Sequence, residues 1–544
     1  MQEREYVITL HKHTDLESFY EDMETVPSVN YIPNREVEVV SRRPLSRNTH
    51  YMLTDDEASL IRHDPRVMAV ELSLKESGLR LRPSWTQSNS SWDKSATINS
   101  VVKNWGLLRC VEGTQRASWG SNGVASVTSE INVTASGKYV DVVVVDGHMN
   151  PAHPEFAVST DGTGGSRVVQ YNWYQHRLAV EGLSNSTYVY SPYIDATYPD
   201  SNSDGFSDRT IDNDHGTHVA GIAAGNTNGW ARDSSIYNIS PYASSPSTTD
   251  NFLDYIKFWH QNKSINPITG VKNPTITNHS YAATFNMSIA SITSVRYRGT
   301  IVTGPFTSGQ LTGYGINNSG GNVDVLARNT ALEADLIDLM NIGVIVVGAA
   351  GNQYNKISVP SDVLSDDYNN YFSDGTNSYF YQRGSISAVA GAICVGSISS
   401  SIDDSKATSS NCGPRVDIYA PGENIMSSIN SSIGSFANDS RNTAYRGSKR
   451  SGSSMASPQV VGILACLAET WPTMKQSQAL TYIHTHAKQG QITTSVDLQG
   501  SENRFLYFYK QRLESGQVGP KVNLGNRPTT GQAWPRPKIY RYGI

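Results

Sequence analysis

The sequence predicts an α/β fold built on a doubly wound, mostly parallel sheet with helices on both faces. Two runs rich in β-branched residues, Tyr139–Val145 and Gly343–Val347, have the continuous apolar character of strands buried on both sides. Further strand-like segments cover 274–280 and 388–395, and residues 331–340 have helical spacing. Strands that alternate with helices along the chain are typical of a parallel sheet.

The chain has 544 residues, which is too long for one compact core, so we expect at least two domains. Residues 1–76 have the pattern of a small ferredoxin-like α+β unit. Tyr6–Leu10 reads as a strand, and Val67–Leu72 as another. Between them, Thr54 and Glu57 have the spacing of a capping box at the start of a helix.

The rest of the chain divides by composition. Residues 77–103 shift to Ser, Asn, Thr and Gln and are predicted to form a polar linker. The main domain is predicted over 104–505, with polar inserts near 157–208, 283–325 and 354–383. Residues 506–544 form a tail rich in proline, aromatic and basic residues, which cannot bury a core of its own. We expect the tail to contact an assembly partner or the body of the protein, the alternative being a disordered end.

Composition limits the classes of partner. The net charge of −5 and the absence of a dense Lys/Arg run argue against nucleic-acid binding. No apolar stretch reaches membrane-spanning length, and the first residues lack the apolar segment of a secretory signal, so a cytoplasmic location is expected. The four cysteines lie far apart and are predicted to be free thiols. No organic cofactor is expected.

One stretch indicates nucleophilic chemistry. Gly452–Pro458 is a turn of small residues that continues directly into the apolar run Val460–Leu467, which predicts a turn followed by a buried helix. A serine at a helix N-terminus lies close to backbone N–H groups that favour developing negative charge. A serine hydroxyl also needs a base, and the base needs a group that orients it.

The chain supplies candidates for both groups. Asp146 follows the strand 139–145, at the end of the strand where α/β folds place their sites. His215 lies in the first turn of a predicted helix, 214–225, whose small residues allow close packing on a sheet. Taken singly, the aspartate suits a turn cap and the histidine a structural role.

Together these segments resemble the three active-site motifs of the subtilisin-like serine proteases. The motifs are Asp146-Gly147, His215-Gly-Thr-His-Val-Ala-Gly221 and Gly452-Ser-Ser-Met-Ala-Ser-Pro458, in the family's order Asp, His, Ser. Gly348–Asn352 lies between the last two. The end of residues 1–76 is similar to the family's inhibitory prodomain. Parts of the middle, around 229–241, resemble members encoded by tailed bacteriophages, for which a virion-associated location would be expected.

The resemblance implies roles for individual residues. Ser454 would be the nucleophile, His215 the general base and Asp146 the group that orients the imidazole. The side-chain amide of Asn352 would bind the oxyanion together with the backbone N–H of Ser454.

The family's substrate-binding strand corresponds to Ser280, Tyr281 and Ala282, so a polypeptide substrate would add to it as a further strand. The glycines usual in that strand are missing here, which implies a different pocket shape. Gln459 also replaces a histidine frequent in the nucleophile motif, outside the triad.

A calcium site is predicted in the segment 200–208. Asp200, Asn202, Asp204 and Asp208 place oxygen side chains at alternate positions around Gly205, as at the start of a calcium loop. An ordinary acidic turn is the alternative. Relatives often have a calcium-ligating aspartate at the position of Glu155, which makes that residue a second, weaker candidate.

These features predict a serine endopeptidase made as a zymogen, with residues 1–76 acting as its intramolecular inhibitor. The last strand of that unit is expected to dock against the substrate face until it is removed. The alternative is a structural or assembly protein, such as a virion component, that keeps the protease fold without the activity.

Overall fold

The computed structural model describes residues 3–25, 32–42, 46–73, 85–114, 126–169, 171, 173, 213–239, 252–281, 284–326, 330–361, 366–384, 389–401, 403–430, 434–493 and 498–508. These residues form two compact units, one within residues 1–82 and the other within residues 83–512. We refer to them as unit 1 and unit 2. Among the described residues, no helix is both long and apolar enough to cross a membrane.

Unit 1 has the predicted ferredoxin-like arrangement of two helices and a four-stranded antiparallel sheet of order β2-β3-β1-β4. Thr54 and Glu57 make the predicted capping box at the start of the second helix. The alternating apolar residues of the first strand enter a core of the unit's own. In chain order the elements are β1 (Arg4–Leu10), α1 (Leu16–Glu24), β2 (Glu38–Ser41), β3 (Asn48–Leu53), α2 (Asp55–Ile61) and β4 (Val67–Leu72).

Unit 2 contains the remaining described elements. In chain order they are β5 (Trp85–Asp93), β6 (Val102–Lys103), α3 (Trp105–Val111), β7 (Ser126–Val133), β8 (Asp141–Val145), α4 (Asn213–Ala224), β9 (Ser235–Ile239), α5 (Phe252–Asn262), β10 (Thr275–His279), β11 (Thr284–Ser288), β12 (Ser294–Tyr297), β13 (Thr300–Thr303), α6 (Ser308–Gly313), β14 (Asn318–Ser319), β15 (Asn322–Leu326), α7 (Thr330–Asn341), β16 (Ile345–Ala349), β17 (Tyr371–Ser373), β18 (Ser378–Phe380), β19 (Ile393–Ile398), β20 (Ile418–Pro421), β21 (Ile425–Ile429), β22 (Ala437–Asn438), β23 (Arg446–Arg450), α8 (Ser453–Thr470), α9 (Gln476–His486), β24 (Lys488–Gln489) and β25 (Arg504–Phe505).

The core of unit 2 is an eight-stranded sheet of order β24-β25-β20-β19-β16-β10-β8-β9, in which only β24 is antiparallel. Helices cover both faces, which confirms the predicted doubly wound sheet. Alternate residues of β8 point to opposite sides. Val142 and Val144 pack in the cluster that contains α4 and α8, while Val143 and Val145 pack in the cluster that contains α5 and α7.

Part of the predicted linker is folded into unit 2. Residues 85–93 form β5, which pairs with β7, and β6 pairs with β5 in the same three-stranded sheet. Trp92 is buried in the core, and the Lys94 ammonium is buried against the Asp404 carboxylate at 3.2 Å. The Ser- and Asn-rich composition did not predict β5, because its only large apolar residues are Trp85 and Trp92, seven positions apart.

Two of the predicted polar inserts fold together. Residues 284–326 and 366–384 build one sheet of order β11-β15-β14 and another of order β13-β12-β17-β18. These sheets and α6 enclose one apolar core, here called the insert core, made of Ile289, Ile292, Val295, Leu311, Ile316, Val323, Val325, Phe372 and Tyr381.

The start of the predicted tail also belongs to unit 2. Leu506 and Phe508 are buried in the core of the main sheet, and the Phe508 ring lies 5.6 Å from that of Trp230. Residues 509–544 lie outside the described part of the chain, as do residues 174–212, which include the predicted calcium loop.

Candidate active site

Asp146 lies at the carboxyl end of β8, which runs between β10 and the edge strand β9 of the main sheet, and its side chain is almost fully buried. The backbone N–H of Gly147 donates to Asp146 Oδ1 at 2.7 Å, which holds the carboxylate over the turn. His215 Nδ1 lies 2.8 Å from Oδ1 and 2.9 Å from Oδ2. A carboxylate at Nδ1 requires the proton on that nitrogen and leaves Nε2 as the basic atom.

His215 occupies the first turn of α4, and its side chain is 35% exposed. The helix approaches the Asp146 turn closely because the next residue is glycine. A Cβ atom at Gly216 would lie 2.1 Å from the Gly147 carbonyl oxygen, well inside van der Waals contact. The sequence His215-Gly216 therefore determines how near the imidazole comes to Asp146.

Ser454 is the second residue of α8, immediately after a tight turn at Gly452, whose φ of +149° is in the region that favours glycine. The Ser454 hydroxyl donates to the Ser280 carbonyl oxygen at 3.1 Å. This contact joins the N-terminus of α8 to the end of β10. The predicted nucleophile thus lies beside the predicted substrate strand, at a helix N-terminus.

Asn352 follows β16, the neighbour of β10 in the sheet. Its Oδ1 accepts hydrogen bonds from the backbone N–H and the hydroxyl of Ser453, at 2.8 and 2.9 Å. Both bonds fix the oxygen toward α8, so the amide NH₂ is directed away from Ser453. The Ser453 hydroxyl in turn accepts from the Gly351 N–H at 3.0 Å. The sequence did not indicate this role of Ser453, because a serine beside a serine carries no distinguishing pattern.

The predicted substrate strand is described as far as Tyr281, and Ala282 lies outside the described residues. Ser280 is buried. The Tyr281 hydroxyl lies 3.2 Å from Nδ1 of the buried His279, and its ring makes an edge contact with Phe252 at 6.2 Å. These two contacts fix the Tyr281 side chain at the end of β10.

Polar contacts also hold α4, the helix that carries His215. Burial, with a smaller contribution from the Arg450 charge, lowers the pKa of His218 to about 3, so this histidine is neutral. Its Nε2 donates to the Ser448 carbonyl at 3.0 Å. Asp214 accepts from the Asn430 N–H at 3.0 Å and pairs with Arg450 at 3.1 Å. Sequence reasoning missed Arg450, which lies 236 residues from Asp214.

Glu155 does not fit a calcium site. Its buried carboxylate pairs with the Arg441 guanidinium at 2.5 Å and accepts the backbone N–H groups of Thr227 and Asn228 at 3.0 and 3.1 Å. Burial would raise the pKa of Glu155, but Arg441 and Thr227 outweigh burial and hold it well below its ordinary value. An internal cation thus occupies the place next to this carboxylate.

The predicted calcium ligands Asp200, Asn202, Asp204 and Asp208 all lie outside the described residues. Within the described ranges, no group of three or more His, Cys, Asp or Glu side chains is arranged to hold a metal ion.

Comparison with known proteins identifies the family of the chain. Residues 137–505 match the family model described as the subtilase family, Peptidase_S8. An alkaline proteinase of Hapsidospora chrysogena is 30% identical over 295 residues, which is 54% of this chain and 52% of that protein. An extracellular serine proteinase of Thermus sp. (strain Rt41A) is 28% identical over 276 residues, 50% of this chain and 46% of that protein. The chain therefore spans about half the length of these relatives.

Among solved structures, a cold adapted subtilisin-like serine proteinase superposes with a TM-score of 0.43 and 20% sequence identity. The superposition covers 75% of this chain and 98% of that one.

Proposed function

The chain belongs to the subtilase family, and from this premise we propose that it is a serine endopeptidase that cleaves peptide bonds through an acyl-enzyme. The observation that carries the proposal is the pairing of the buried Asp146 carboxylate with His215 Nδ1, at 2.8 and 2.9 Å. A carboxylate that holds the Nδ1–H of a histidine makes Nε2 the atom that can act as a base. Ser454, at the N-terminus of α8, is the nucleophile.

In the proposed reaction, the Ser454 oxygen attacks the scissile carbonyl carbon while its proton passes to His215 Nε2. Asp146 stabilises the imidazolium without taking the proton itself. The carbonyl oxygen becomes an oxyanion, which accepts hydrogen bonds from the Ser454 N–H and the Asn352 amide. His215 then protonates the leaving amine as the C–N bond breaks. A water molecule, activated by the same imidazole, hydrolyses the resulting ester.

The substrate is a polypeptide in extended conformation. The strand 280–282 is proposed to pair with its backbone, so that alternate substrate side chains face the enzyme. Because strand pairing uses backbone atoms, it does not depend on the identity of the substrate side chains. Preference for particular substrate sequences must therefore come from the residues that line the substrate-binding cleft. Tyr281, fixed by His279 and Phe252, is one such residue.

The direct test is labelling of the full chain with a fluorophosphonate, which reacts only with an activated serine. We expect one covalent adduct on Ser454, found by peptide mass spectrometry, and none on the Ser454→Ala variant. Ser477→Ala removes an exposed serine of α9 and leaves the nucleophile helix unchanged, so it serves as the control and should still label. An unlabelled full chain would favour the inert-scaffold alternative, unless removal of unit 1 restored labelling.

Two accessory roles extend the proposal. Unit 1 is proposed to be an inhibitory prodomain, a role supported by its ferredoxin-like fold and by the amino-acid sequence around its last strand. The full chain would then be a zymogen. Residues 200–208 are proposed to bind calcium, because crowded carboxylates at alternate positions need a cation. The tail is proposed to contact an assembly partner through residues 509–544.

A further inference from the structure

The join between β10 and the first two turns of α8 consists of a closed set of side-chain hydrogen bonds. Ser457 Oγ donates to Asn278 Oδ1 at 2.9 Å, and Asn278 Nδ2 donates to Ser280 Oγ at 2.8 Å. Ser280 Oγ then donates to the Ser454 carbonyl at 3.0 Å, and Ser454 Oγ donates back to the Ser280 carbonyl at 3.1 Å. We call these four residues the Asn278 network. All four are buried.

The network depends on a proline inside α8. In a regular helix the Ser454 carbonyl would accept a hydrogen bond from the N–H of residue 458, but Pro458 has no N–H. The carbonyl of the nucleophile is therefore free of the helix ladder in a buried environment, where an unpaired acceptor costs about 1–3 kcal/mol. The Ser280 hydroxyl supplies the missing donor.

Asn278 joins β10 to α8, because its side-chain amide can donate one hydrogen bond and accept another at the same time. Its oxygen binds the second turn of α8, and its nitrogen orients the Ser280 hydroxyl toward Ser454. An amide provides both functions in one planar group, whereas a carboxylate or an apolar side chain of the same size does not. The backbone of Asn278 is itself fixed in the sheet, in register with Val144 on one side and Val347 on the other.

We propose that Asn278 is a positioning residue of the peptidase reaction, which sets the nucleophile helix against the substrate strand. It holds Ser454, which attacks, and Ser280, whose strand pairs with the substrate backbone, at one fixed separation. The role rests on the proposed function, because it has meaning only if Ser454 is the nucleophile. Asn278 touches neither the substrate nor the reacting atoms and acts through Ser280 and Ser457.

The test is the steady-state kinetics of the full chain and its Asn278→Ala variant on an extended peptide. A displacement of about 1 Å at the reacting atoms is enough to cost on the order of a hundredfold in rate, so we expect kcat to fall by about tenfold or more. KM should change less than about threefold, because most of the strand contacts remain. The rate of fluorophosphonate labelling should fall in parallel with kcat, since that reagent needs the nucleophile but not the strand.

Two further variants separate positioning from general loss of structure. Ser457→Ala removes one bond of the network and should lower kcat by a smaller factor, with little additional loss when it is combined with Asn278→Ala. This milder variant decides the question if Asn278→Ala does not fold. Asn226→Ala, at a buried asparagine with hydrogen bonds to Pro154 and Ala157, should lower the melting temperature and leave kcat unchanged.

The outcomes are distinguishable. Normal kcat and normal labelling in folded Asn278→Ala, or in Ser457→Ala if the former is unfolded, would overturn the positioning role alone. An equal fall in kcat for Asn226→Ala would also overturn it, because the effect would then follow stability. If the unaltered chain, tested also after removal of unit 1, neither labels nor hydrolyses peptides, the proposed function falls and the positioning role with it.

Discussion

At the scale of single residues, the orientation of the Asn352 amide is determined by Ser453, which has no proposed role in the reaction. Ser453 binds Asn352 Oδ1 through both its N–H and its hydroxyl, and the hydroxyl is itself held by the Gly351 N–H. These bonds leave the amide NH₂ as the group available to an oxyanion. A donor that is oriented before the reaction pays no reorganisation cost when charge develops.

We therefore expect Asn352→Ala to lower kcat by about 10²–10³, the loss known for removal of one oxyanion-hole donor from subtilisin. Ser453→Ala should cost roughly tenfold, because the Ser453 N–H still holds the amide oxygen after the hydroxyl is removed. The double variant should be no slower than Asn352→Ala alone. Equal effects of Ser453→Ala in both backgrounds, measured as kcat on one peptide, would show that the hydroxyl acts independently of Asn352.

Buried neutral histidines make the protein sensitive to acid. Burial lowers the pKa of His279 to about 3, and His218 is lowered to about the same value. The ordinary value is 6.5, so between pH 6.5 and 3 the unfolded chain binds protons that the folded chain does not. Stability from these groups is therefore complete above about pH 6.5 and is lost as the pH falls toward 3.

Each such histidine contributes a slope of about 1.4 kcal/mol per pH unit in that window. We predict that the free energy of unfolding, measured with urea from pH 7.5 to 4.5, falls with decreasing pH. His279→Gln should make the curve shallower by roughly that slope, because glutamine takes up no proton, while stability at pH 7.5 changes separately through the lost contacts with Thr277 and Tyr281. A slope unchanged by the substitution would contradict the assignment of His279 as neutral.

At the scale of elements, the approach of α4 to the turn after β8 brings His215 to Asp146. The contact is limited by Gly216, where a Cβ atom would lie 2.1 Å from the Gly147 carbonyl oxygen. The overlap is with backbone, so a rotamer change cannot relieve it. The helix and the turn must move apart.

Gly216→Ala should therefore separate the imidazole from its carboxylate and lower kcat by about a hundredfold or more, together with the melting temperature. Gly309→Ala is a matched control, because Gly309 also lies in a helix and a Cβ there has nothing within 4 Å. That change should be neutral or slightly stabilising and should leave kcat unaltered. Near-normal turnover by Gly216→Ala would show that the separation of α4 from the turn is not critical.

The elements predicted from sequence are those whose pattern is local. The continuous β-branched run before Asp146 became β8, and the capping box at Thr54 begins α2 as expected. Elements whose stability comes from distant partners were not predicted. Strand β5 has a polar composition and is held by β7, and the Glu155 carboxylate is paired with Arg441, 286 residues away. Local pattern cannot encode such a partner.

In the candidate site too, the residues with a local sequence pattern were predicted and those that depend on distant partners were not. The motifs around Asp146, His215 and Ser454 could be predicted because each is a short, contiguous segment that resembles a motif of the subtilisin-like proteases, and the structure pairs Asp146 with His215. Asn278 and Arg450 could not be found, because their significance arises only when β10 meets α8 and when β23 meets α4. The pairing of Glu155 with Arg441 could not be foreseen either, since the sequence suggested a bound cation and not an internal one.

At the scale of the molecule, two of the predicted inserts of unit 2 form one body beside the segment that contains Asn352. The insert core joins residues 284–326, which continue from the substrate strand, to residues 366–384, which follow the segment of Asn352. Hydrogen bonds tie them to that segment, from Asn317 Nδ2 to the Gln353 carbonyl and from Asn355 Nδ2 to the Asp324 carbonyl at 3.4 Å. The two chain segments predicted to bind substrate and oxyanion are thus supported by one common body.

Each of the two units has hydrophobic cores made of its own residues. The core of unit 1 contains 14 buried apolar side chains among its described residues, and unit 2 begins at residue 83, upstream of the predicted start at Asn104. A chain shortened to Asn104 would lose β5 and the buried pair of Lys94 with Asp404. Removal of unit 1 must therefore cut between residues 73 and 85 to leave unit 2 intact.

The proposed inhibitory role of unit 1 predicts that cutting and dilution together activate the enzyme. A tethered inhibitor has an effective concentration of order millimolar, whereas the same unit, once cut, has only the concentration of the protein in solution. We would place a recognition site for an unrelated sequence-specific protease between residues 76 and 83, cut the folded protein, and measure peptide hydrolysis over a dilution series from micromolar to nanomolar. Specific activity should rise on dilution of the cut protein and stay constant for the uncut one.

The same cut in Ser454→Ala should yield no activity, which excludes hydrolysis by the added protease. Equal specific activity of cut and uncut protein at every dilution, with labelling of Ser454 in both, would mean that unit 1 is an accessory domain and not an inhibitor.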